Sequence, residues 1–288
     1  MPMEIDCGQI KAQARQAMSL TRPSFWIVTL VYILMTTGIS SLANFTTGTL
    51  GLFLSFAVTM YCWVVGFSYR LWAIWTARRL DPGLGSLLEG FSVAGRVIMM
   101  ELSILARVFG WTFLLAIPVG LLIVGIPSPV LMTLATVAMI LGLEVIILRY
   151  SMSYYVLADY PDLGPAVAIA HSIRLTKGWI WELVKLHLSF AGWYILSYGL
   201  TCAGLAIGAF LSGDFGSLMG LPYDEMLLHL QTITNSPVPT LIANIVSLPV
   251  TLYLTPYVEV TLAQFYDARI HLDDNMADPL GGMQMPPV

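Results

Sequence analysis

LGLFLSFAVTMYCWVVGFSYRLWAIWTARR, residues Leu50–Arg79, decides how this chain folds. No charge interrupts it between Leu50 and Tyr69, and a helix needs roughly 20 consecutive apolar residues to cross the hydrocarbon core of a bilayer. The run reads as a transmembrane helix from Leu50 to Ala73. Arg70 lies near its end, within snorkelling reach of water, and Arg78 and Arg79 mark an interface. Working outward, similar runs occur over Phe25–Ala43, over Val130–Leu148, over Leu188–Phe210 and over Leu241–Leu262. One more begins between Val97 and Val108 and ends near Gly125. The expected fold is therefore all-α, a polytopic membrane bundle of six spans. Composition agrees: 57% of residues are hydrophobic, 10% are charged and the mean hydropathy is +0.79, whereas soluble domains carry roughly 25% charged residues. No loop is long enough for a separate soluble domain. One membrane domain, residues 23–271, is expected between an N-terminal segment, 1–22, and a tail, 272–288, whose Asp, Pro, Gly and Met content predicts disorder.

Charge sets the expected orientation. With the N-terminus inside, each of the 13 Lys and Arg residues falls in a cytoplasmic segment or in a span with a cytoplasmic end within reach. The outer segments, around Asn44–Thr49, Ile126–Pro129 and Ser212–Thr240, contain none. Basic residues are retained on the cytoplasmic side during insertion, so both termini are expected inside. The net charge of −4 says little about partners, because the signs are segregated. A basic inner face suits anionic headgroups. The phospholipid bilayer, and other membrane proteins, are the partners expected, and no patch suited to nucleic acid is present.

Short interfacial helices are expected between the spans. Ile5–Leu20 can turn Ile5, Ile10, Ala14, Ala17 and Met18 to lipid while Lys11, Gln13 and Arg15 face water. Leu84, Leu87, Leu88 and Phe91 form a helical stripe, and Ala166–Lys177 follows Pro161 and Pro165. Leu221–Thr234 suggests another helix on the outer surface. The first apolar run exceeds the 7–15 residues of a signal-peptide core and reads as a retained span. A weak repeat at a shift of 81 residues superposes Asp81 on Asp162, Gly83 on Gly164 and Glu101 on Glu182.

Charges at membrane depth are the default functional candidates, because burying them is costly. Glu101, Glu144, Glu182 and Glu259 qualify, with Arg70, Arg107, Arg149 and Lys185. Snorkelling accounts for most of these. Arg107 depends on register. If its span begins at Val97, the guanidinium lies about 15 Å deep and a salt bridge to Glu144 follows. If the span begins at Val108, Arg107 is an interface anchor. Arg107, Glu144 and Glu259 form the candidate intramembrane charge cluster. Pro118, Pro249 and Pro256 are candidate kinks, since each proline removes a helix hydrogen bond, and broken helices beside a carboxylate occur at transporter sites. Small residues in the fifth span, Gly199, Ala203, Gly204, Ala206, Gly208 and Ala209, permit close helix packing. Glu225 and His229 share a helix face, but one His without further ligands does not make a metal site. Asn44-Phe45-Thr46 matches a glycosylation acceptor but lies against the membrane. Cys7, Cys62 and Cys202 form neither a disulfide framework nor a metal spacing and read as small buried residues. No catalytic motif is present, so neither an enzyme nor a cofactor is expected.

Several segments resemble a bacterial integral-membrane family known as domain of unknown function 975. They are Arg149-Tyr150-Ser151-Met152, Tyr155 through Leu163, Lys177-Gly178-Trp179, Leu188 through Trp193, Pro256-Tyr257 and Phe265-Tyr266. Gly66-Phe67-Ser68-Tyr69, Leu87 through Phe91 and Ile117-Pro118 are weaker matches. The resemblance implies a bacterial cytoplasmic membrane and no activity. The recurring polar residues look like turn chemistry: Asp162 can cap the helix that follows, and Gly178 relaxes the next turn. Two functions compete. One is a non-enzymatic accessory or scaffold protein acting through lipid and membrane-protein contacts. The other is a permease for a small or amphipathic solute, with its charged cavity open to the cytoplasm.

Overall fold

The computed structural model describes residues 6–40, 48–125, 128–213 and 222–275, and every regular element among them is helical. Five helices are long and apolar enough to cross a membrane. A sixth crossing exists if Cys7–Leu20 and Phe25–Gly38, bent by 91° at their junction, count as one span. The protein is thus a polytopic membrane-helix bundle. Its chain divides into two compact units, one built from the residues up to Leu186 together with those from Glu259, the other from His187–Val258.

In the first unit, α1 (Cys7–Leu20) starts on Asp6, whose carboxylate accepts the Gly8 N–H at 2.8 Å and so satisfies one orphan donor of the first turn. Ile10, Ala14, Ala17 and Met18 are buried, and α1 packs on the long helix α3. The stripe expected to face lipid faces protein instead. An amphipathic pattern identifies an apolar face without saying what covers it. Helix α2 (Phe25–Ile33) continues through a π-helical turn, Leu34–Gly38, and residues 41–43 of the expected first span, with the Asn44 motif, lie outside the described residues. Then α3 runs from Gly48 to Ala77, slightly longer than its apolar run. A short helix, α4 (Ser86–Glu89), passes through a 3-10 turn, Gly90–Val93, into α5 (Ala94–Gly125). Leu84, Leu88 and Phe91 form an exposed apolar stripe there, while Leu87 turns inward and is buried. Helix α6 (Pro129–Tyr150) opens on proline at its first position, where the missing N–H has no partner to lose. It is followed by α7 (Ser153–Asp159) and α8 (Pro165–Thr176). Gly164 occupies the N-cap of α8 with no side-chain cap. Asp162, expected to cap this helix, reaches Arg96 at 3.4 Å instead.

Burial within this unit is concentrated at one end of the spans. Along α3 the buried side chains run from Val64 to Ala77, whereas Leu50, Leu52, Phe53 and Phe56 are exposed. Among the described side chains, those buried in α5 are Val97, Met100 and Ile104, and those in α6 are Leu148 and Tyr150. Trp72, Tyr69, Tyr155, Tyr266, Phe67 and Phe265 form the packed centre. Lipid tails are as apolar as leucine, so the remaining lengths of the spans gain nothing by burial in protein.

Helix α9 (Ile180–Leu188) follows the left-handed Gly178, φ 82°, as the expected turn requires. In the second unit, α10 (Ala191–Ser212) and α11 (Tyr223–Asn235) precede α12, which extends from Pro237 to Asn275 and so returns to the first unit. Gly204 and Gly208 of α10 are buried; a Cβ on either would sit 2.5 Å from the Ala243 Cα or 2.4 Å from the Pro239 Cα. The close packing expected of this span is therefore made by Gly204 and Gly208 with Ala209, while Gly199, Ala203 and Ala206 are exposed. Cys202 is exposed too, contrary to its expected burial. Helix α5 passes through Pro118, and α12 passes through Pro249 and Pro256, without ending; a proline in a membrane helix removes one bond that neighbouring groups can replace. The prolines do not divide their helices. The expected tail begins as helix, through Asn275, and residues 276–288 lie outside the described ones. The halves of the weak repeat also differ, since continuous α5 has the separate α9 and α10 as its counterpart.

Candidate functional site

Polar side chains of α3, α7 and α12 meet at the packed end of the first unit. Arg70, on the last turns of α3, stacks on the Tyr154 ring at 3.8 Å from its centroid, and its Nε lies 3.6 Å from Glu259 Oε1. Tyr155 donates to Glu259 Oε2 at 2.9 Å and to the Glu259 carbonyl at 3.2 Å. Glu101 of α5 lies close enough to act electrostatically on Tyr154 and Arg70. Arg70 is thus paired with a carboxylate of another helix, and the aromatic face adds a cation–π contribution.

Immediately after α3, Arg78 grips Asp159 through Nη1 and Nη2, at 2.6 and 2.8 Å. It also donates to Asp267 through Nε and Nη2, at 3.1 and 2.7 Å. Such planar, two-point pairing is what guanidinium geometry favours. Burial opposes the charge on Arg78, but its hydrogen bonds to Asp159 and Asp267 outweigh that cost and hold its pKa above the ordinary value. Tyr266 donates to Asp159 Oδ2 at 3.0 Å and stacks on Tyr155 at 5.5 Å, which joins the two clusters. Gln264 donates to the Ala77 carbonyl at 2.8 Å, closing one orphan acceptor of the α3 terminus. Arg269 is buried, donates to the Leu175 carbonyl at 3.1 Å and lies over Trp179 at 4.9 Å. Nearby, Thr29 and Tyr69 share a buried hydrogen bond of 2.8 Å, and Tyr32 stacks on Tyr69 at 4.2 Å, which docks α2 on α3.

The expected trio does not converge. Arg107 is exposed and donates back along its own helix to the Ser103 carbonyl at 3.1 Å. Glu144 is exposed, and no ion pair joins it to Arg107. Glu259 alone lies in the polar cluster. Arg70, assigned from sequence to snorkelling, is its actual partner. Lys185 and Glu182 pair with each other at 3.9 Å. The signal that could have found the cluster was the density of tyrosines and acids between Tyr150 and Asp162 and the Phe265-Tyr266 pair. Asp159, read as turn chemistry, is the main acceptor of Arg78. Among the described residues no group of three or more His, Cys, Asp or Glu could hold a metal. Chemically the arrangement ties helices together: Arg70 and Arg78 face carboxylates from other elements, and Arg269 faces a backbone carbonyl of another helix.

Helices that cross a membrane, with a polar girdle at one end of their packed unit, define the class: an all-α integral membrane protein. The chain belongs to the family described as protein of unknown function (DUF975), which matches residues 5–271. Neither a curated protein nor a solved structure matches it.

Proposed function

We propose that this protein is a non-catalytic accessory or scaffold of the bacterial cytoplasmic membrane, working through contacts with lipid and with other membrane proteins. The observation that carries the reading is how its charges are used. Arg70, Arg78 and Arg269 are each engaged with acceptors of other helices, while Arg107 and Glu144 stand apart from Glu259 on exposed faces. A solute site needs polar groups left available to the solute; these are occupied with one another. The exposed apolar lengths of α5 and α6 offer large surfaces to lipid or to a second membrane protein.

A permease is the second reading. It is favoured by the half-buried Arg70–Glu259 pair, with Glu101 at hand, on a helix that contains Pro249 and Pro256. Affinity purification of the tagged chain from its native membrane, beside an Arg107→Gln, Glu144→Gln double variant and a Glu259→Gln variant, separates the two. A stoichiometric partner retained by all forms supports the accessory. No partner, with Glu259→Gln stably inserted but unable to complement a deletion, moves the assignment to transport.

A further inference from the structure

The end of α3 carries a feature that the polar girdle does not use. Leu80 donates to the Trp75 carbonyl and Arg79 to that of Thr76, at 2.9 and 3.0 Å. This double closure usually places glycine at the position held here by Arg79. Arg79 has φ 59° and Asp81 φ 48°, left-handed conformations that are costly for side chains larger than glycine. Both residues line a cavity of about 190 Å³, together with Ala17, Leu20, Thr21 and Thr76. A single water needs only roughly 10–15 Å³, so the space suits a small polar molecule. The buried Thr76 hydroxyl has no hydrogen-bond partner among the described residues. Arg79 reaches the Gln16 side chain at 3.2 Å, and no ion pair joins it to Asp81.

We propose that this cavity binds the headgroup of a zwitterionic phospholipid, with the phosphate on Arg79 and the Thr76 hydroxyl and the primary ammonium on Asp81. A cation and an anion lining one cavity match a ligand bearing both charges. A purely anionic headgroup would meet the Asp81 carboxylate unfavourably. The location argues for lipid over a free phosphoester: the apolar length of α3 ends at Ala77, which puts Arg79 and Asp81 at headgroup depth. Exposed Leu20 lies at the cavity for the acyl side. The inference rests on the bilayer contacts of the accessory reading and adds a specific lipid class to them.

Native mass spectrometry of the full purified chain in detergent tests it, with phosphatidylethanolamine and phosphatidylglycerol added in turn. The wild type is expected to retain phosphatidylethanolamine about tenfold better, the worth of one charge-assisted hydrogen bond. Asp81→Asn keeps a residue tolerant of the left-handed region and is expected to erase that preference. Arg79→Gly relieves the backbone while removing the guanidinium, so it is expected to lose retention of both lipids with no loss of thermal stability. Thr76→Val removes a hydroxyl that the fold does not use and is expected to weaken retention alone. Equal retention of the two lipids by the wild type, or retention unchanged in all three variants, overturns the proposal. Displacement of the lipid by soluble phosphoethanolamine at equal concentration also overturns it, by assigning the site to a free phosphoester. Partner capture is read separately: a chain that keeps its partner but shows no lipid preference sinks this inference and leaves the accessory reading standing.

Discussion

At the scale of single residues, what matters is whether a polar group is shared between helices or lies on the rim. Asp159 accepts from both Arg78 and Tyr266, so Asp159→Asn removes a charge on which two other helices depend. We expect a loss of about 1.5–3 kcal/mol, read as a lower thermal midpoint in detergent. Asp162→Asn, whose carboxylate is fully exposed beside Arg96, is expected to leave that midpoint unchanged, as for most surface pairs. Gly90 makes a different demand. Its N–H donates to Ser68 Oγ at 3.1 Å, and a Cβ there would lie 2.2 Å from the same atom and 3.0 Å from the Val64 carbonyl. Gly90→Ala should therefore cost about 1–3 kcal/mol, the range of overpacking, by the same measurement. Gly90 was visible in the sequence only as part of a recurring segment, because the atom that forbids its side chain lies on another helix.

At the scale of elements, the spans were legible and their partners were not. The apolar runs located α3, α6 and α10 to within a few residues, whereas α12 runs thirteen residues past its expected end at Leu262 and α5 begins at Ala94, ahead of both expected starts. The list of small residues in α10 was correct in kind, yet of its glycines Gly204 and Gly208 lie against the backbone of α12 and Gly199 does not. Gly208→Ala is expected to push α10 off Pro239 and lower stability by about 1–3 kcal/mol. Gly199→Ala, with nothing within 4 Å of its Cβ, is expected to be neutral or slightly stabilising, since alanine is the better helix former. Thermal unfolding of the two variants side by side checks the pair. The apolar stripe of α1 is the counter-example. Its periodicity was read correctly and its environment was not, since a stripe that packs on protein and one that packs on lipid are composed alike.

For the whole molecule the open count is between five crossings and six, and it turns on the 91° bend between α1 and α2. Charge bias predicts both termini on the cytoplasmic side, which requires an even number of crossings. Engineered cysteines at Asp6 and at Asp267, in a background without Cys7, Cys62 and Cys202, would be probed with an impermeant thiol reagent on intact cells. Neither should react until the membrane is opened, whereas a cysteine at Pro222 should react at once. Labelling of one terminal site alone would establish an odd number of crossings and would place α2 on one side of the bilayer.

Composition, hydropathy and the distribution of Lys and Arg were sufficient by themselves for an all-α membrane bundle, the positions of its long helices and an expected orientation. Those properties follow from transfer of each segment between water and lipid, which is local to the chain. Which charges meet was decided only by tertiary structure. Arg70 finds Glu259, Arg78 finds Asp159 and Asp267, and Arg107 misses Glu144, because helix rotation and offset set these distances and neither is written in any one segment's pattern.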